Sequence, residues 1–326
     1  MPIITLSFWH RAVRFIAGAR DAWELALIQS ARKVLNLILT RCYLFLSRMK
    51  KAFKRKFSGA FSTIDSSGVA ICFKVWGEGP AVVLIHGYTS DALDWNHVIQ
   101  LLQDRFRLIA IDCRGHGGSG KPEEPASYGR KMVGDVRAVL RHLGIEKACL
   151  VGYSMGAEIA LRCSVEYPEL VSGLVLGGSG WSGGNESKVY AEIGKSLKEH
   201  RSFGPFMQNS AVDLDLLDTD NFNIGIADGM LKGQNIDALA AVAQSMKEII
   251  NLSEQDISHI HIPVLAISGD LDDEKPNLEK MIGVVPDISC KLLPDKDHME
   301  AFLDPEFCRL IEHYLVSNYL AGAQQY

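Results

Sequence analysis

The sequence predicts an α/β fold in which a mostly parallel sheet is covered by helices on both faces. Short apolar segments alternate with amphipathic helical segments over most of the chain. The apolar segments are almost free of polar residues, as is typical of parallel strands buried on both faces. A Gly-X-Ser-X-Gly turn also stands where one of these segments meets a helical segment.

The predicted strands follow one another at the spacing of strand–helix units. The first, 69–77, alternates in polarity as an antiparallel strand does. The other predicted strands are 81–87, 107–112, 148–154, 171–180, 262–270 and 288–295. Helices are predicted over 129–145, 155–168 and 305–320, because apolar residues recur there at helical spacing.

The alternation stops between residues 181 and 259, where the sequence shows helical periodicity and loop signals instead. Because this segment stands between two core strands, we predict a helical cap insertion. Such an insertion would lie above the carboxyl ends of the strands, where open α/β sheets bind ligands. The core is then expected to comprise residues 59–180 and 260–326.

Residues 1–58 form a separate N-terminal arm rich in helix-forming residues. Basic residues far outnumber acidic ones between Arg11 and Lys56. As a helix, the apolar run 34–46 would be about 20 Å long, short of the ~30 Å hydrocarbon core. We predict a basic amphipathic helix on an anionic membrane surface. The alternatives are a helix that packs on the protein itself or on a sister subunit, and a spanning helix.

Composition and charge narrow the class of protein further. The chain has 326 residues and a net charge of −5, which gives no reason to expect nucleic-acid binding. Its seven cysteines include no C-x-x-C pair, so a disulfide framework or a zinc site is not expected. We therefore predict a cytoplasmic protein with peripheral contact to the inner face of the membrane. Neither a metal nor an organic cofactor is expected.

The segment LVGYSMGAEIA, residues 150–160, contains the Gly-X-Ser-X-Gly turn, which is the strongest candidate for a catalytic motif. Gly152 and Gly156 flank Ser154 at the spacing of a nucleophile elbow. Glycine suits both positions, because a Cβ there would clash in so tight a turn. The turn lifts the Ser154 hydroxyl clear of the sheet and points the Met155 N–H at the same place. Ser154 is therefore the predicted nucleophile.

A serine nucleophile needs a base to accept its proton and an acid to orient that base. In chains with this elbow, the acid and then the histidine follow the serine. His298, after the last predicted strand, is the candidate base. The loop after the preceding strand offers Asp270, Asp272 and Asp273. Asp272 is favoured because it falls three residues after Gly269, where the loop can turn inward; the other two remain alternatives.

Two backbone N–H groups are predicted to form an oxyanion hole. One is that of Met155, and the other is that of Tyr88, after His86 and Gly87 at a strand end. Gly87 would let the chain bend beneath the substrate. His86 is interpreted as a structural histidine that bonds loop backbone. The Gly-rich segment 112–119, with its aspartate and histidine, is also interpreted as structural.

The chain resembles the α/β-hydrolase superfamily, in its compact form with a helical cap. The matching motifs over residues 61–320 are HGYTSDALDW, DCRGHGGSGKP, VGYSMGAEIAL, YPELVSGLVL, SGDLDD and DKDHMEAFLDPEFCRLIEHYL. The resemblance implies the α/β-hydrolase fold and a triad of Ser154, Asp272 and His298. Ala157 replaces a second glycine found in many relatives, but alanine is small enough for the same packing. Dehalogenases and epoxide hydrolases of this family use an aspartate nucleophile, and the serine argues against both.

These inferences together predict a serine hydrolase that acts on a small-molecule carboxylic ester through an acyl-enzyme. The predicted membrane arm favours a lipophilic ester. Other α/β-hydrolase chemistry is the alternative: a lactonase, a thioesterase, a C–C bond hydrolase or a cofactor-free perhydrolase. A non-catalytic ligand-binding protein and a membrane-recruited partner protein are alternatives from other classes.

Overall fold

The computed structural model describes residues 61–184, 186–210 and 219–320. The predicted arm, residues 1–58, lies outside these ranges. Within them, no helix combines the length and the apolar composition that crossing a membrane requires.

One eight-stranded sheet forms the centre of the described chain. Its strands are β1 (Ser62–Ser66), β2 (Val69–Trp76), β3 (Ala81–Ile85), β4 (Arg107–Ile111), β5 (Ala148–Tyr153), β6 (Val171–Gly177), β7 (Val264–Gly269) and β8 (Ile288–Leu293). They lie in the order β1-β2-β4-β3-β5-β6-β7-β8. β2 pairs antiparallel with β1 and β4, and every other pair is parallel. The prediction of an α/β fold with a mostly parallel sheet is confirmed.

Helices connect the strands and follow the last one. They are α1 (Asn96–Leu102), α2 (Arg130–His142), α3 (Met155–Glu166), α4 (Ser187–His200), α5 (Gly204–Ser210), α6 (Thr219–Met230), α7 (Ile236–Ser245), α8 (Lys247–Ile250), α9 (Glu254–Ser258), α10 (Lys275–Glu279), α11 (His298–Leu303) and α12 (Pro305–Tyr319). Short 3₁₀ turns lie at Ala92–Trp95, Pro125–Ser127 and Pro168–Leu170.

The sheet is buried on both faces, as the apolar strand sequences require. In β3, Val83 and Ile85 belong to one hydrophobic cluster, which also includes residues of α2 and α3. Val82 and Leu84 point to the other face and join a cluster with residues of α1 and α12. Because side chains alternate along a strand, one five-residue segment contributes to both cores.

The described residues between β6 and β7 are mainly helical, and we refer to α4–α9 as the cap helices. Leu197 of α4 and Leu239 of α7 are fully buried in a separate cluster with Phe203 and Leu231. This cluster is small beside the two clusters against the sheet. Some residues of the cap helices therefore form a small cluster of their own, while others in α7, α8 and α9 pack into the cluster against the sheet.

The sequence did not predict β1. Its segment, STIDS, is mostly exposed and forms the edge of the sheet beside β2. Edge strands are commonly short and polar, so they lack the apolar run by which buried strands are recognised. The predicted strand 171–180 also ends earlier, at Gly177, because the chain turns at Gly178 with a φ of +64°.

Candidate active site

Ser154 stands between β5 and α3 in a strained backbone conformation, with φ 54° and ψ −123°. Non-glycine residues rarely adopt a positive φ, and such strain is concentrated at functional sites. A Cβ added at residue 152 would lie 2.2 Å from the carbonyl oxygen of Gly156. A Cβ added at residue 156 would lie 2.1 Å from that of Ile85. Both glycines therefore permit backbone contacts that no side chain would allow.

The loop after β3 and the end of β6 lie beside Ser154. The Ser154 N–H donates to the carbonyl of Gly177 over 2.8 Å. On the other side, a Cβ added at Gly87 would lie 3.4 Å from the Ser154 Cβ. The predicted serine thus lies at the carboxyl ends of the parallel strands, next to the segment that contains Tyr88.

Asp272 and His298 are joined directly. The His298 Nδ1 lies 2.9 Å from Oδ2 of Asp272 and 3.1 Å from Oδ1. Asp272 is only 4% exposed, and it also accepts from the Ser268 hydroxyl over 3.2 Å and the Glu274 N–H over 3.0 Å. The carboxylate is thereby fixed by three donors. Since Nδ1 donates to it, the neutral imidazole has Nε2 available as an acceptor.

Of the three candidate aspartates, Asp272 is the one that the described structure places against His298. Asp273 is exposed. Asp270 is oriented differently: its Oδ1 is buried without a hydrogen-bond partner in the described structure. The loop after β7 therefore turns inward at the position that the sequence argument favoured.

His298 is held at the first position of α11. Asp297 caps this helix by accepting from the N–H groups of Met299 and Glu300. The Tyr153 hydroxyl donates to the His298 carbonyl. A Cβ added at Gly178 would lie 3.0 Å from the His298 Cε1. Because both its backbone and its ring are in contact with neighbouring residues, the position of His298 is fixed.

Ser154 and His298 each contact the end of β6, at two consecutive residues. Ser154 bonds to Gly177, and the His298 ring lies beside the next residue, Gly178. In the described residues, no hydrogen bond joins the Ser154 hydroxyl to His298. Such contacts are often long before substrate binds and shorten in the reacting complex.

The surroundings of His298 change its affinity for a proton. Burial by itself lowers the pKa of His298, because it disfavours the charged imidazolium. The hydrogen bond to Asp272 and the charges of Asp272, Glu274 and Asp297 outweigh burial, so the pKa lies above its ordinary value. A more basic imidazole is a better acceptor for a hydroxyl proton.

Two backbone N–H groups beside Ser154 remain available to a ligand. Met155 begins α3, and the first N–H groups of a helix have no acceptor within it. Neither the Met155 N–H nor the Tyr88 N–H donates to another described residue. These are the two groups predicted to bind an oxyanion.

His86 supports the same loop from behind. Its Nε2 accepts the Cys113 N–H over 3.0 Å, so its Nδ1 carries the proton and donates to the Gly87 carbonyl over 2.7 Å. Only the neutral ring can make both bonds. Both contacts of His86 are with loop backbone, which agrees with its interpretation as a structural histidine.

A cluster of three glutamates close to the Asp272–His298 pair was not predicted from the sequence. Glu158 lies one turn after Ser154 on α3 and accepts from Ser179 over 3.3 Å and Tyr190 over 2.7 Å. Asn277 donates to both other members, Glu186 and Glu274. The only available signal was a charged residue, Glu158, within the apolar run of the elbow helix.

The three glutamates bind protons more tightly than free glutamates do, because they are buried close together. Burial and the charge of Glu274 raise the pKa of Glu158 to about 7. Burial and the charge of Glu158 raise the pKa of Glu186 to about 7. Burial and the charge of Glu186 raise the pKa of Glu274 to about 8. Like charges in so small a volume are avoided when protons remain bound.

This cluster predicts an unusual pH dependence of stability. An acid whose pKa is higher in the folded chain binds more protons there, so the free energy of unfolding falls as pH rises from about 4.3 to 7. Glu158→Gln removes that titration and keeps an oxygen for Tyr190. We expect the variant to lose about 2 kcal/mol less stability than the wild type between pH 5 and pH 8. Urea denaturation at both pH values measures the difference.

Glu146→Gln is the matched control, because Glu146 is exposed. It should leave the pH dependence of unfolding as in the wild type. If Glu158→Gln also leaves that dependence unchanged, the pKa of Glu158 is not raised in the folded protein.

No group of three or more His, Cys, Asp or Glu side chains in the described ranges has an arrangement suited to a metal ion. A surface cleft of about 460 Å³ is lined by Arg130, Arg162, Lys247, Glu248 and others. None of the predicted catalytic residues lines this cleft. The candidate chemistry is therefore concentrated at the strand ends around Ser154.

A mostly parallel sheet with a serine turn and an Asp–His pair after its last two strands is the arrangement of the α/β-hydrolase fold. Comparison with known proteins agrees. A family model described as the alpha/beta hydrolase fold matches residues 80–192. This match and the fold of the solved structures that align with the chain confirm the predicted fold.

Three relatives illustrate the range of similarity. An uncharacterised protein of Mycobacterium tuberculosis is 38% identical over 113 residues, which cover 35% of this chain and 33% of that protein. The match thus spans about a third of that relative's length. A fluoroacetate dehalogenase of a Burkholderia species is 35% identical over 117 residues, covering 35% of this chain and 38% of the dehalogenase. The structure of a thermophilic esterase from Thermogutta terrifontis aligns with a TM-score of 0.64 at 22% identity, covering 80% of this chain and all of that one.

Proposed function

We propose that this protein is a serine hydrolase that cleaves carboxylic esters. Ser154 is the nucleophile, His298 the base and Asp272 the acid. The observation that carries the proposal is the buried Asp272 carboxylate bonded to His298 Nδ1 at 2.9 Å, close to a strained serine turn. This arrangement leaves Nε2 as the one nitrogen of a neutral imidazole that can accept a proton.

The reaction follows from these positions. The Ser154 Oγ attacks the acyl carbon while its proton passes to His298 Nε2. The carbonyl electron pair moves onto oxygen, and the N–H groups of Tyr88 and Met155 donate to this oxyanion. His298 then gives the proton to the departing alkoxide. A water activated by the same histidine releases the acid from Ser154.

The relatives differ in nucleophile, and residue 154 favours one group of them. Serine gives an acyl-enzyme that water can hydrolyse, as in an esterase. The aspartate nucleophile of dehalogenases and epoxide hydrolases forms an ester with the substrate carbon instead. The fluoroacetate dehalogenase and the esterase are therefore both guides to this protein's fold, and the serine at residue 154 is what favours the proposed chemistry.

Hydrolysis of p-nitrophenyl esters from acetate to palmitate tests this function. We expect turnover on at least part of the series and none beyond background in Ser154→Ala. No turnover on any ester, together with no labelling by a serine-directed fluorophosphonate, would refute a serine hydrolase. Labelling without turnover would retain the nucleophile and exclude these esters, which would favour a lactone or another acyl substrate.

The N-terminal arm gives the proposal a further component: residues 1–58 hold the enzyme at an anionic membrane surface. Its support is the sequence alone, with its excess of basic residues beside an apolar run. Sedimentation with anionic vesicles, measured on the full chain and on a variant lacking residues 1–58, tests it. Vesicle binding by the full chain alone is expected; equal binding by both would contradict the assignment.

A further inference from the structure

Two hydrogen bonds and one sulfur contact join the loop after β3 to the segment that contains the cap helices. The Tyr88 hydroxyl donates to the Leu239 carbonyl in α7 over 2.7 Å. The Gln234 amide donates to the Thr89 carbonyl over 3.0 Å. The Thr89 hydroxyl lies 3.9 Å from the sulfur of Met230, at the end of α6. Two consecutive loop residues are thus attached to cap residues more than 140 positions away along the chain.

The core holds the same loop from its other side. The Gly87 carbonyl accepts from His86 Nδ1 over 2.7 Å and from the Ser90 N–H over 3.3 Å. Because a peptide group is planar, the Tyr88 N–H belongs to the same rigid unit as that carbonyl. Thr89 next to it has a φ of +62°, which an unsupported loop would seldom keep. The direction of the Tyr88 N–H therefore depends on bonds to both the core and the cap helices.

The Tyr88 ring lies between a core residue and a cap residue. Its centroid is 5.8 Å from that of His116 and 6.4 Å from that of Phe203, both in edge-on geometry. The acceptor of its hydroxyl, Leu239, is fully buried in the cap cluster with Phe203. Packing and hydrogen bond together couple the position of this ring to the position of the cap helices.

We propose that Tyr88 is a positioning residue whose phenol hydroxyl ties its own backbone N–H, the oxyanion donor, to cap helix α7. The placement of the cap helices then sets how strongly the oxyanion is bound. This inference rests on the proposed function, since the N–H has an oxyanion to bind only in acyl transfer. Substrate bound against α7 would thereby affect the rate at the acyl carbon.

Removal of the hydroxyl should act on the transition state more than on substrate binding. The oxyanion carries its charge only after Ser154 has added, so a displaced donor lowers kcat and leaves KM nearly unchanged. Complete loss of an oxyanion donor costs about 10²- to 10³-fold in kcat. A displaced donor costs part of that, and we expect Tyr88→Phe to lower kcat roughly 5- to 30-fold.

Tyr314→Phe is the matched control. The Tyr314 hydroxyl also donates to a backbone carbonyl over 2.7 Å, that of Pro263, and is mostly buried. It lies on α12, against the amino-terminal part of β7. The control variant loses this hydrogen bond and also the one that the hydroxyl accepts from the Leu174 N–H over 3.1 Å. Its loss of stability should therefore be at least as large, while its kcat stays within about two-fold of wild type.

The decisive readout is inhibition by an aryl trifluoromethyl ketone. The Ser154 Oγ adds to its carbonyl carbon, the proton passes to His298, and the carbonyl oxygen becomes an oxyanion that needs the Tyr88 N–H. Tyr88→Phe should weaken this inhibitor by about the factor lost in kcat, whereas Tyr314→Phe should not. Gln234→Met, which removes the bond to Thr89 and keeps the side-chain length, should shift both values in the same direction.

Wild-type turnover distinguishes failure of the positioning role of Tyr88 from failure of the proposed function. If the wild type hydrolyses esters and Tyr88→Phe matches it in kcat and in inhibitor affinity, the positioning role is wrong and the proposed function stands. A change in KM alone would also overturn the positioning role. If the wild type neither turns over esters nor reacts with the ketone, the proposed function fails and the inference fails with it.

Discussion

Ser154→Ala is expected to lower kcat for ester hydrolysis by a factor on the order of 10⁶, with the fold unchanged. The proposed acyl-enzyme forms on this hydroxyl, and alanine has no atom to replace it. The side chain makes no hydrogen bond in the described structure, so its loss should leave stability nearly as it was. Single-turnover and steady-state rates on the best p-nitrophenyl ester measure the change.

Ser164→Ala provides the comparison on the same helix. Ser164 is buried in α3, and its hydroxyl donates to the Leu161 carbonyl over 2.8 Å. Its variant should keep wild-type kcat, at a cost in stability of about 1 kcal/mol. Retention of most of the activity in Ser154→Ala would show that another residue is the nucleophile.

Asp272→Asn is expected to lower kcat by roughly 10⁴-fold. The asparagine has the shape of aspartate, but its amide can neither stabilise the imidazolium nor hold the proton on Nδ1 of His298. The pKa of His298 should also fall, because the bond and charge of Asp272 are what raise it. In the wild type, kcat/KM rises with pH as His298 loses its proton, so in the variant this rise should move to lower pH.

Asp273→Asn is the paired control, since it makes the same chemical change one residue away at an exposed position. Its kcat should stay within a few-fold of wild type. A pH–rate profile of kcat/KM for both variants distinguishes the two effects. If Asp273→Asn is the inactive one, the triad acid is Asp273 and the bond seen between Asp272 and His298 is structural.

The sheet could be predicted from the sequence because local patterns encode it. Each parallel strand is a short apolar run between turn residues, and the structure places seven strands within a few residues of the predicted segments. Strand β1 was not predicted, because an exposed edge strand has no apolar run. Gly152 could also be recognised, because its close contact is with Gly156 in the same turn, whereas Gly156 is required by the approach of Ile85 in β3.

The Asp272–His298 pair could be anticipated from the sequence because both residues follow strand ends. Their neighbours could not be anticipated, since they are brought together from distant segments. Glu158 and Glu274 are 116 residues apart, and nothing local to either marks them as parts of one carboxyl cluster. The bond between Tyr88 and Leu239 likewise depends on how the cap helices pack, which no local pattern fixes.

Covalent labelling tests the central claim most directly. The full-length protein would be treated with a fluorophosphonate, digested and mapped by mass spectrometry, with residual ester hydrolysis followed in parallel. One modified residue, Ser154, is predicted, with activity lost in proportion to its modification and no labelling of Ser154→Ala. Labelling of a different residue, or full hydrolysis after Ser154 is completely modified, would contradict a serine hydrolase built on this residue.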